Sequence, residues 1–279
     1  MTLIVADTTS GLPLELAESL GIPMIPQLII FGEHTYRDDT QLTTADFLKK
    51  LRNCSELPKT AAPPPALYNP IFEKAARSGE TVIVVAPTSK MSGTARSAEN
   101  ARQDFPLADI RVIDTLTIAG FLGALVLRAH HLAQEGKSGD EIEAYLRDLI
   151  PRSRTYFVVD TLEYLQKGGR IGSAKALLGE LLQVKPILQL KDGAAAPLAQ
   201  ERTKKRATQR LIEMVCAQAP ENPDTLLSVM HSDAPEEAEA VQNELCNRLK
   251  IANIPIYLLP PAIVVHAGPK VLAAGFFVH

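Results

Sequence analysis

The sequence predicts an α/β protein of two domains: an N-terminal three-layer domain with a parallel sheet and a C-terminal two-layer domain with a mixed sheet. In the first half of the chain, short apolar strands alternate with amphipathic helices, an order typical of parallel sheets covered on both faces. This order changes near Pro151. A length of 279 residues is long for one domain and natural for two. We therefore expect domains at residues 1–153 and 154–279.

The first half supplies the elements of the parallel sheet. Ser138 and Glu141 have the spacing of a capping box, which predicts that a helix begins there. The segment Pro58–Pro65 is predicted to be a proline-rich loop. The predicted strands are Leu3–Ala6, Met24–Phe31, Val82–Ala86 and Ile110–Ile113, and the predicted helices are Leu12–Leu20, one from Thr43, one through Arg77, one from about Thr94 and Ile118–Gln134.

The second half mixes strands and helices in a different order. The Asp192-Gly193 dipeptide is a turn signal and predicts a hairpin over Pro186–Leu198. A short helix over Leu162–Gln166 is expected to end at Gly168. The other predicted helices are Ala174–Leu182, Arg206–Ala217 and Pro235–Leu249, and the other predicted strands are Tyr156–Val159, Leu226–Met230, Ile256–Leu259, Ile263–His266 and Leu272–Val278.

Composition excludes several classes of function. A net charge of −3 gives no general attraction to nucleic acid, so we expect no nucleic-acid partner, while a peripheral or transient membrane contact is left open. The three scattered cysteines have no metal-ligand spacing, so neither a metal site nor a disulfide framework is expected. No apolar run approaches 18 residues and the N-terminus enters a strand directly, so the expected location is the cytoplasm.

The common catalytic and nucleotide-binding motifs fail. Gly136-Lys137-Ser138 looks like the end of a Walker A loop, but His131 stands where that loop requires a glycine. Ser92 lies between a strand and a helix like a nucleophile elbow, but Lys90 and Thr94 replace the flanking glycines. We therefore assign no catalytic residue and no cofactor.

The loop from Thr88 to Thr94 is the first candidate ligand site. It joins a buried strand to a helix, so it lies at the carboxyl end of a parallel strand, where α/β folds bind ligands. The helix N-terminus offers N–H groups and a partial positive charge. Gly93 lets a ligand approach the backbone, and Ser92 and Thr94 add hydroxyls, a combination that suits a carboxylate. The alternative reading is that Ser92 only caps the helix.

Three further segments carry polar groups. Thr60 is a hydroxyl in a proline-flanked loop. The Gly168-Gly169 pair ends a helix and presents Arg170 from a fixed loop. His266 follows an apolar run and precedes a Gly-Pro turn, and at the end of a strand it can donate to a carboxylate. Taken singly, each segment also fits a purely structural role.

Together these segments resemble the DegV family of fatty-acid-binding proteins. The matches run in order along the chain, and their joint specificity is high although each is short. They are Ala6-Asp7-Thr8-Thr9-Ser10, Lys59-Thr60 with Pro63, Ser92-Gly93-Thr94, Asp114-Thr115, Leu162-Glu163-Tyr164-Leu165 with Gly168-Gly169-Arg170-Ile171, Lys185-Pro186-Ile187-Leu188, and His266 with Gly268-Pro269. The sequence departs from the family pattern at Ala61-Ala62, where Ser-Gln is usual, at Ala6, where threonine is common, and at Lys270, where glycine is usual.

The resemblance implies that the chain binds a long-chain fatty acid. It implies a carboxylate held near the domain junction and an acyl chain buried mainly in the second domain. It also implies delivery to a separate kinase subunit, which phosphorylates the bound acid to an acyl phosphate. The residues carried over for the carboxylate are Thr60, Ser92, Gly93, Thr94, His266 and Gly268, and those for docking the partner are Arg170 and Arg202.

An apolar tunnel is expected to set the affinity. A sixteen-carbon acid buries about 14 methylenes, worth roughly 11 kcal/mol at ~0.8 kcal/mol each. Association and ordering of the chain cost ~4–15 kcal/mol, so the carboxylate contacts mainly fix orientation. Candidate lining residues, which fit an ordinary core equally well, are Leu177, Leu178, Leu181, Ile187, Leu188, Phe276 and Phe277.

Two other classes of function stay open. An enzyme, either a hydrolase or a small-molecule kinase related in fold, would need a base for Ser92, and His266 is the only candidate that the sequence suggests. An interaction module would use the basic run Arg202–Arg206, which otherwise reads as a solvated helix start. We favour a lipid carrier without a catalytic dyad of its own.

Overall fold

Each half of the chain is built on its own main sheet. The computed structural model describes residues 2–178, 184–221 and 225–278. These fold into two units, Met1–Pro151 and Arg152–His279.

A four-stranded parallel sheet forms the centre of the first unit. Its order is β2-β1-β6-β7, with β1 (Thr2–Asp7) and β6 (Thr81–Ala86) in the middle. The edge strands β2 (Met24–Ile25) and β7 (Ile110–Asp114) also pair in parallel. The helices of this unit are α1 (Leu14–Ser19), α2 (Thr44–Asn53), α3 (Asn69–Ser78), α4 (Thr94–Arg102), α5 (Ala119–Gln134) and α6 (Gly139–Leu149).

Helices cover both faces of this sheet. Val82 and Val84 of β6 share a buried cluster with Phe72 of α3 and Ala98 of α4. Alternation along the strand turns Ile83 to the opposite face. The helices α5 and α6 contact β6 but share none of that cluster, so they lie on the opposite face. The predicted three-layer arrangement is confirmed.

A second, small sheet in the first unit was not predicted. It contains β3 (Leu28–Phe31), β4 (His34–Arg37) and β5 (Lys59–Ala61) in the antiparallel order β4-β3-β5. The single strand predicted over Met24–Phe31 is therefore wrong: Pro26 has no N–H to continue a ladder, and the chain changes sheets there. The loop predicted at Pro58–Pro65 likewise contains β5.

The second unit has two layers. Its sheet has the order β10-β9-β8-β13-β11-β12, and β11 with β12 is a parallel pair in an otherwise antiparallel sheet. Its strands are β8 (Ser153–Val158), β9 (Lys185–Lys191), β10 (Ala194–Glu201), β11 (Ser228–Ser232), β12 (Ile256–Leu258) and β13 (Val271–Phe277). Its helices are α7 (Glu163–Lys167), α8 (Lys204–Cys216), α9 (Pro235–Leu249) and α10 (Pro261–Ala267), with a 3₁₀ segment at Gly172–Leu177.

The helices α8 and α9 cover one face of this mixed sheet. Leu211 of α8 and Leu245 of α9 share a buried cluster with Val158, Leu272 and Val229 from three strands. The fold class predicted from the sequence, a parallel-sheet domain followed by a mixed-sheet domain, is confirmed.

Two local signals in the sequence, a hairpin turn and a helix capping box, are confirmed. Asp192 and Gly193 both have positive φ, 51° and 80°, the backbone of a tight hairpin turn, and they join β9 to β10. Ser138 and Glu141 form the reciprocal capping box of α6.

One predicted strand of the second unit is wrong, and one predicted helix is described only in part. The segment Ile263–His266 is not a strand but part of α10. A short apolar run fits a strand or a buried helix equally well, and Pro261 in its first turn favours the helix. The helix predicted over Ala174–Leu182 overlaps the 3₁₀ helix at Gly172–Leu177, and residues 179–182 lie outside the described residues. No helix of the described part is both long and apolar enough to cross a membrane.

Candidate functional site

Polar side chains gather where the central strands of the parallel sheet end. Asp7 is the last residue of β1, and the loop from Thr88 to Thr94 follows β6. Because parallel strands present their carboxyl ends at one edge, these two segments meet. Asp7 and Thr94 are both buried, with 1% and 0% of their surface exposed, while Ser92 is half-buried.

A chain of hydrogen bonds joins Ser92 to Asp7. Ser92 Oγ lies 2.8 Å from Thr94 Oγ1, and either hydroxyl can be the donor. Thr94 Oγ1 lies 3.2 Å from Asp7 Oδ2 and accepts a hydrogen bond of 2.9 Å from Gln27 Nε2. Gln27 Nε2 also donates to Asp7 Oδ2, and Thr9 Oγ1 donates to Asp7 Oδ1 at 2.6 Å. Ser92 is thus supported from behind by a buried carboxyl group and an amide.

The start of α4 provides backbone donors beside Ser92. Its N-cap residue is Gly93, which has no side chain to accept from the N–H groups of the first turn. Ser92 Oγ accepts from the Thr94 N–H at 3.2 Å. Ser92 therefore caps one N–H group of the helix, as the alternative interpretation predicts. The N-terminal partial charge of α4 therefore adds to the attraction of this loop for an anion.

The segment around Thr60 lies against the same loop. Thr60 is in β5, opposite Ile29 of β3. A Cβ added to Gly93 would lie only 3.1 Å from Ala62 Cβ, so the two segments are in close contact. Ser97 of α4 donates to the Pro63 carbonyl, which fixes this contact from the helix side. The structure therefore places the Thr60 segment and Ser92–Gly93 together, as the sequence suggested.

A second carboxyl group, Asp38, is buried nearby. Its Oδ1 accepts from Thr8 Oγ1 and from the Gln27 N–H, both at 2.8 Å. Its Oδ2 is buried and accepts no hydrogen bond from the described residues. Burial raises the pKa of Asp38 to about 7, although the bonds from Thr8 and Gln27 act in the opposite direction. Burial likewise raises the pKa of Asp7 to about 6 against the bonds from Thr9, Gln27 and Thr94.

Strained backbone lies beside the Ser92 loop. Leu116, between β7 and α5, and Ala119, the first residue of α5, have φ of 54° and 62°, a region that costs L-residues ~1–2 kcal/mol. The Thr88 N–H donates to the Thr117 carbonyl at 2.9 Å. This turn therefore binds the first residue of the loop from Thr88 to Thr94. Such strain is common at functional sites.

In the second unit, His266 lies against the Gly168 turn. A Cβ on Gly168 would collide with His266 Nδ1, and Arg170 Nη1 donates to the Gly168 carbonyl at 2.7 Å. Burial, and after it the positive charge of Arg170, lowers the pKa of His266 to about 4. His266 is therefore neutral at pH 7, with one ring N–H to donate.

His266 reaches this place differently from the prediction. It stands in the last turn of α10, not at a strand end, and Gly268 follows with φ of 81°. A Cβ on Gly268 would lie 2.5 Å from the Tyr164 ring, so both the backbone angle and the space require glycine. Gly268 thus acts by letting α7 and α10 approach, which the contacts of these helices show.

The predicted acyl-lining residues divide between two environments. Ile187 and Phe276 belong to the core beneath α8 and α9, whereas Leu188 and Phe277, their neighbours along the strands, point to the other face of the sheet. One face therefore cannot present all of them. Leu177 is buried, Leu178 is 36% exposed, and Leu181 lies outside the described residues.

Arg170 and Arg202, the two residues predicted to dock a partner, lie in different surroundings. Arg170 is half-buried in the Gly168 turn. Arg202 is exposed in the turn before α8, where Thr203 accepts from the Arg206 N–H as the N-cap. Lys204 of the same basic run pairs with Glu237 at 2.9 Å. The basic run Arg202–Arg206 therefore lies at the start of a helix, which is one of the two interpretations that the sequence left open.

Sequence reasoning did not assign Asp7, Gln27 or Asp38 to the site. A usable signal existed for Asp7, since the polar run Asp7–Ser10 follows an apolar strand directly. Nothing in the sequence marks Gln27. No cluster of three metal-ligating side chains occurs among the described residues.

The fold and this cluster define an α/β protein with hydroxyl groups gathered at a helix N-terminus, where the central parallel strands end. The chain belongs to the DegV family, because the family model described as an uncharacterised protein of the DegV family matches residues 1–279. The resemblance found in the sequence is confirmed.

Similar proteins span the whole length. A DegV domain-containing protein of Clostridium perfringens is 32% identical over 277 residues, covering 98% of this chain and 97% of its own. A DegV family protein from Thermus thermophilus, whose structure is described as fatty acid binding, has 30% identity and a TM-score of 0.90, covering 100% of this chain and 99% of its own. A stearic acid-binding protein from Eubacterium ventriosum has 26% identity and a TM-score of 0.90, covering 100% and 98%.

The raised pKa of Asp38 predicts a pH-dependent stability. Because its folded pKa of about 7 lies above the unfolded value, the native state binds more protons and loses stability as pH rises from about 4 to 7. Asp38→Asn removes this loss. Its free energy of unfolding relative to wild type should rise across that range, by about 1.4 kcal/mol per unit of pKa shift at most, and then level off. Urea unfolding at several pH values measures it.

Asp39→Asn is the matched control. Burial acts to raise the pKa of Asp39, but bonds from Arg37 and Thr40 outweigh it and the pKa falls below its ordinary value. The difference in stability between Asp39→Asn and wild type should therefore stay flat from pH 5 to pH 8. A flat profile for Asp38→Asn as well would contradict the assignment of the raised pKa to Asp38.

Proposed function

We propose that this chain is a carrier that binds a long-chain fatty acid and holds its carboxylate through Ser92, Thr60 and His266. The observation that carries this proposal is the Ser92–Thr94 hydroxyl pair at the N-terminus of α4, supported by buried Asp7 and Gln27. It offers hydrogen-bond donors to an anion. Similar proteins described as binding fatty acid, including stearic acid, support the choice of ligand.

The acyl chain has a matching surface in the second unit. One row of residues in register crosses the mixed sheet on the face that α8 and α9 do not cover. The members of this apolar row are Leu188, Phe157, Ala273, Met230 and Tyr257. We propose that this row contacts the acyl chain. Of the lining residues predicted from the sequence, Leu188 is then retained, whereas Ile187 and Phe276 belong to the core.

A carrier fits the site better than an enzyme does. The hydrogen bonds of Ser92 run to the hydroxyl and the N–H of Thr94, and neither group is a base. His266, the base required by the alternative, has a pKa of about 4 and is a weak proton acceptor at neutral pH. Hydroxyls and a neutral imidazole are suited to donate to a carboxylate, which is what a carrier needs.

We further propose that the bound acid is presented to a separate kinase subunit, with Arg202 and Arg170 docking that subunit. Arg202 is exposed at the start of α8, next to the exposed Lys205 and Arg206, and so offers positive charge to an anionic partner. Arg170 is held in the Gly168 turn beside His266, close to a residue that we propose for the carboxylate.

Protein purified from cells should carry a fatty acid, identified by mass after extraction. In Ser92→Ala the affinity for added stearate should fall about tenfold to a hundredfold, the effect of losing one charge-assisted hydrogen bond worth ~1.5–3 kcal/mol. Ser89→Ala, an exposed serine of the same loop, is the control and should bind as wild type does. A protein that is purified empty and binds neither stearate nor oleate would remove the proposal.

Enlarging the apolar row should change chain-length preference. Ala273 lies in the middle of the row between Phe157 and Met230, so Ala273→Leu narrows the space there. Affinity for stearate should fall several-fold more than affinity for laurate, because only the longer chain must pass the added side chain. Competition binding on the folded variant measures the ratio. Equal losses for both acids would place the acyl chain elsewhere.

Charge reversal at Arg202 tests the docking proposal. Arg202→Glu should weaken binding to the kinase subunit of the same organism roughly tenfold at low salt, and the difference should shrink at high salt. Arg147→Glu, at an exposed side chain of α6, makes the same change of net charge and should have little effect on binding to the kinase subunit. Equal affinity of wild type and Arg202→Glu would exclude Arg202 from the docking surface.

A further inference from the structure

The hydroxyl pair between Asp7 and the Ser92 loop can be oriented in two ways. Thr94 Oγ1 carries one hydrogen and has three polar neighbours: Ser92 Oγ, Gln27 Nε2 and Asp7 Oδ2. Gln27 Nε2 can only donate, so the hydrogen of Thr94 goes either to Asp7 or to Ser92. This choice decides what Ser92 shows to a ligand.

In the first orientation, Thr94 donates to an ionised Asp7. Thr94 Oγ1 then accepts the hydrogen of Ser92, over the 2.8 Å that separates the two oxygens. Ser92 is left with a lone pair facing outwards. A lone pair repels a carboxylate, so this orientation does not bind one.

In the second orientation, Thr94 donates to Ser92, and the Ser92 hydrogen is free to donate to a ligand. Thr94 Oγ1 and Asp7 Oδ2 then face each other at 3.2 Å with no hydrogen between them. Two bare oxygens in a buried place repel, and a proton on Asp7 removes the repulsion by donating to Thr94 Oγ1. Gln27 and Thr9 can keep their bonds to Asp7 in this state.

We propose that binding of a carboxylate at Ser92 reverses this hydroxyl pair and draws one proton from solvent onto Asp7. Asp7 is thus a positioning residue that acts through Thr94 and does not touch the ligand. This inference rests on the proposed function. The free carboxylate and one solvent proton enter, and the complex contains a protonated Asp7 with the carboxylate accepting from Ser92.

The surroundings of Asp7 favour such a proton. Asp7 is 1% exposed, and its pKa is raised to about 6 by burial, so protonation at neutral pH is within reach of a ligand contact. Two titratable groups interact with it from other segments, Asp38 after β4 and Tyr68 before α3. Repulsion between the two carboxyl groups adds to the effect of burial in raising the pKa of Asp38, and burial together with Asp7 raises the pKa of Tyr68, which keeps its proton.

Calorimetric titration with laurate tests the proposal on the full chain stripped of lipid. At pH 7.5 the heat is measured in phosphate, Hepes and Tris, which release different heats on giving up a proton. Wild type should show a buffer-dependent heat that corresponds to uptake of up to one proton per ligand. Its affinity should fall as pH rises from 7 to 9, by at most about tenfold per unit.

Asp7→Asn should abolish the buffer dependence. Its carboxamide keeps an oxygen for Thr9 and places a donor towards Thr94, the state that protonated Asp7 provides, and Gln27 can turn its amide to accept. The affinity of Asp7→Asn should therefore stop changing with pH between 7 and 9. If Asp7→Asn does not fold, Thr94→Val carries the test, because it removes the hydroxyl link and should also abolish the buffer dependence.

Asp38→Asn identifies which carboxyl group takes the proton. It removes the other buried carboxyl group outside the Ser92–Thr94 chain and should keep the buffer-dependent heat. Equal heats in all three buffers for wild type would overturn the proposal, and so would buffer dependence that persists in Asp7→Asn or vanishes in Asp38→Asn. Failure of wild type to bind laurate, stearate or oleate would instead remove the proposed function itself.

Discussion

The buried carboxyl group of Asp7 is the interaction on which the first unit's site depends. An ionised carboxyl group in a protein interior is costly unless donors surround it, and here the donors are Thr9, Gln27 and Thr94. Thr9 is two residues from Asp7, whereas Gln27 and Thr94 are 20 and 87 residues away in sequence. Satisfying Asp7 therefore fixes the end of β1, the start of β3 and the first turn of α4 relative to one another, and the position of Ser92 follows.

Gln27 extends this constraint to the small sheet. Its side chain serves Asp7 while its backbone N–H serves Asp38, so one residue joins both buried carboxyl groups. Gln27 can do this because Pro26 follows the end of β2 and the chain enters β3 only at Leu28. The new strand, β3, pairs with β5 opposite Thr60, and Ala62, just after β5, lies against Gly93. The break in the predicted strand is thus the feature that builds the site.

The sequence was informative where a local signal and the tertiary structure agree. The Ser138 capping box, the Asp192-Gly193 turn and the loop before α4 are each determined within a few residues, and each was predicted. The failures have tertiary causes. Ile263–His266 is short and apolar, so its periodicity could not separate a strand from a buried helix. Gln27 carries no local signal, because its role arises only when Asp7 and Asp38 are brought to it.

The candidate ligand groups share one electrostatic property: they are neutral donors. Ser92 is a hydroxyl whose orientation Thr94 sets, and His266 is an uncharged imidazole because burial and Arg170 lower its pKa to about 4. Hydrogen bonds from these donors to a carboxylate are charge-assisted by the acceptor alone, and neither donor offers the bidentate ion pair that an arginine forms. A site of this kind orients a carboxylate without trapping it, and the apolar contacts with the acyl chain must supply most of the affinity. Under the proposed function, a head group held without an ion pair suits a carrier that gives the carboxylate up to its partner while the acyl chain is still held.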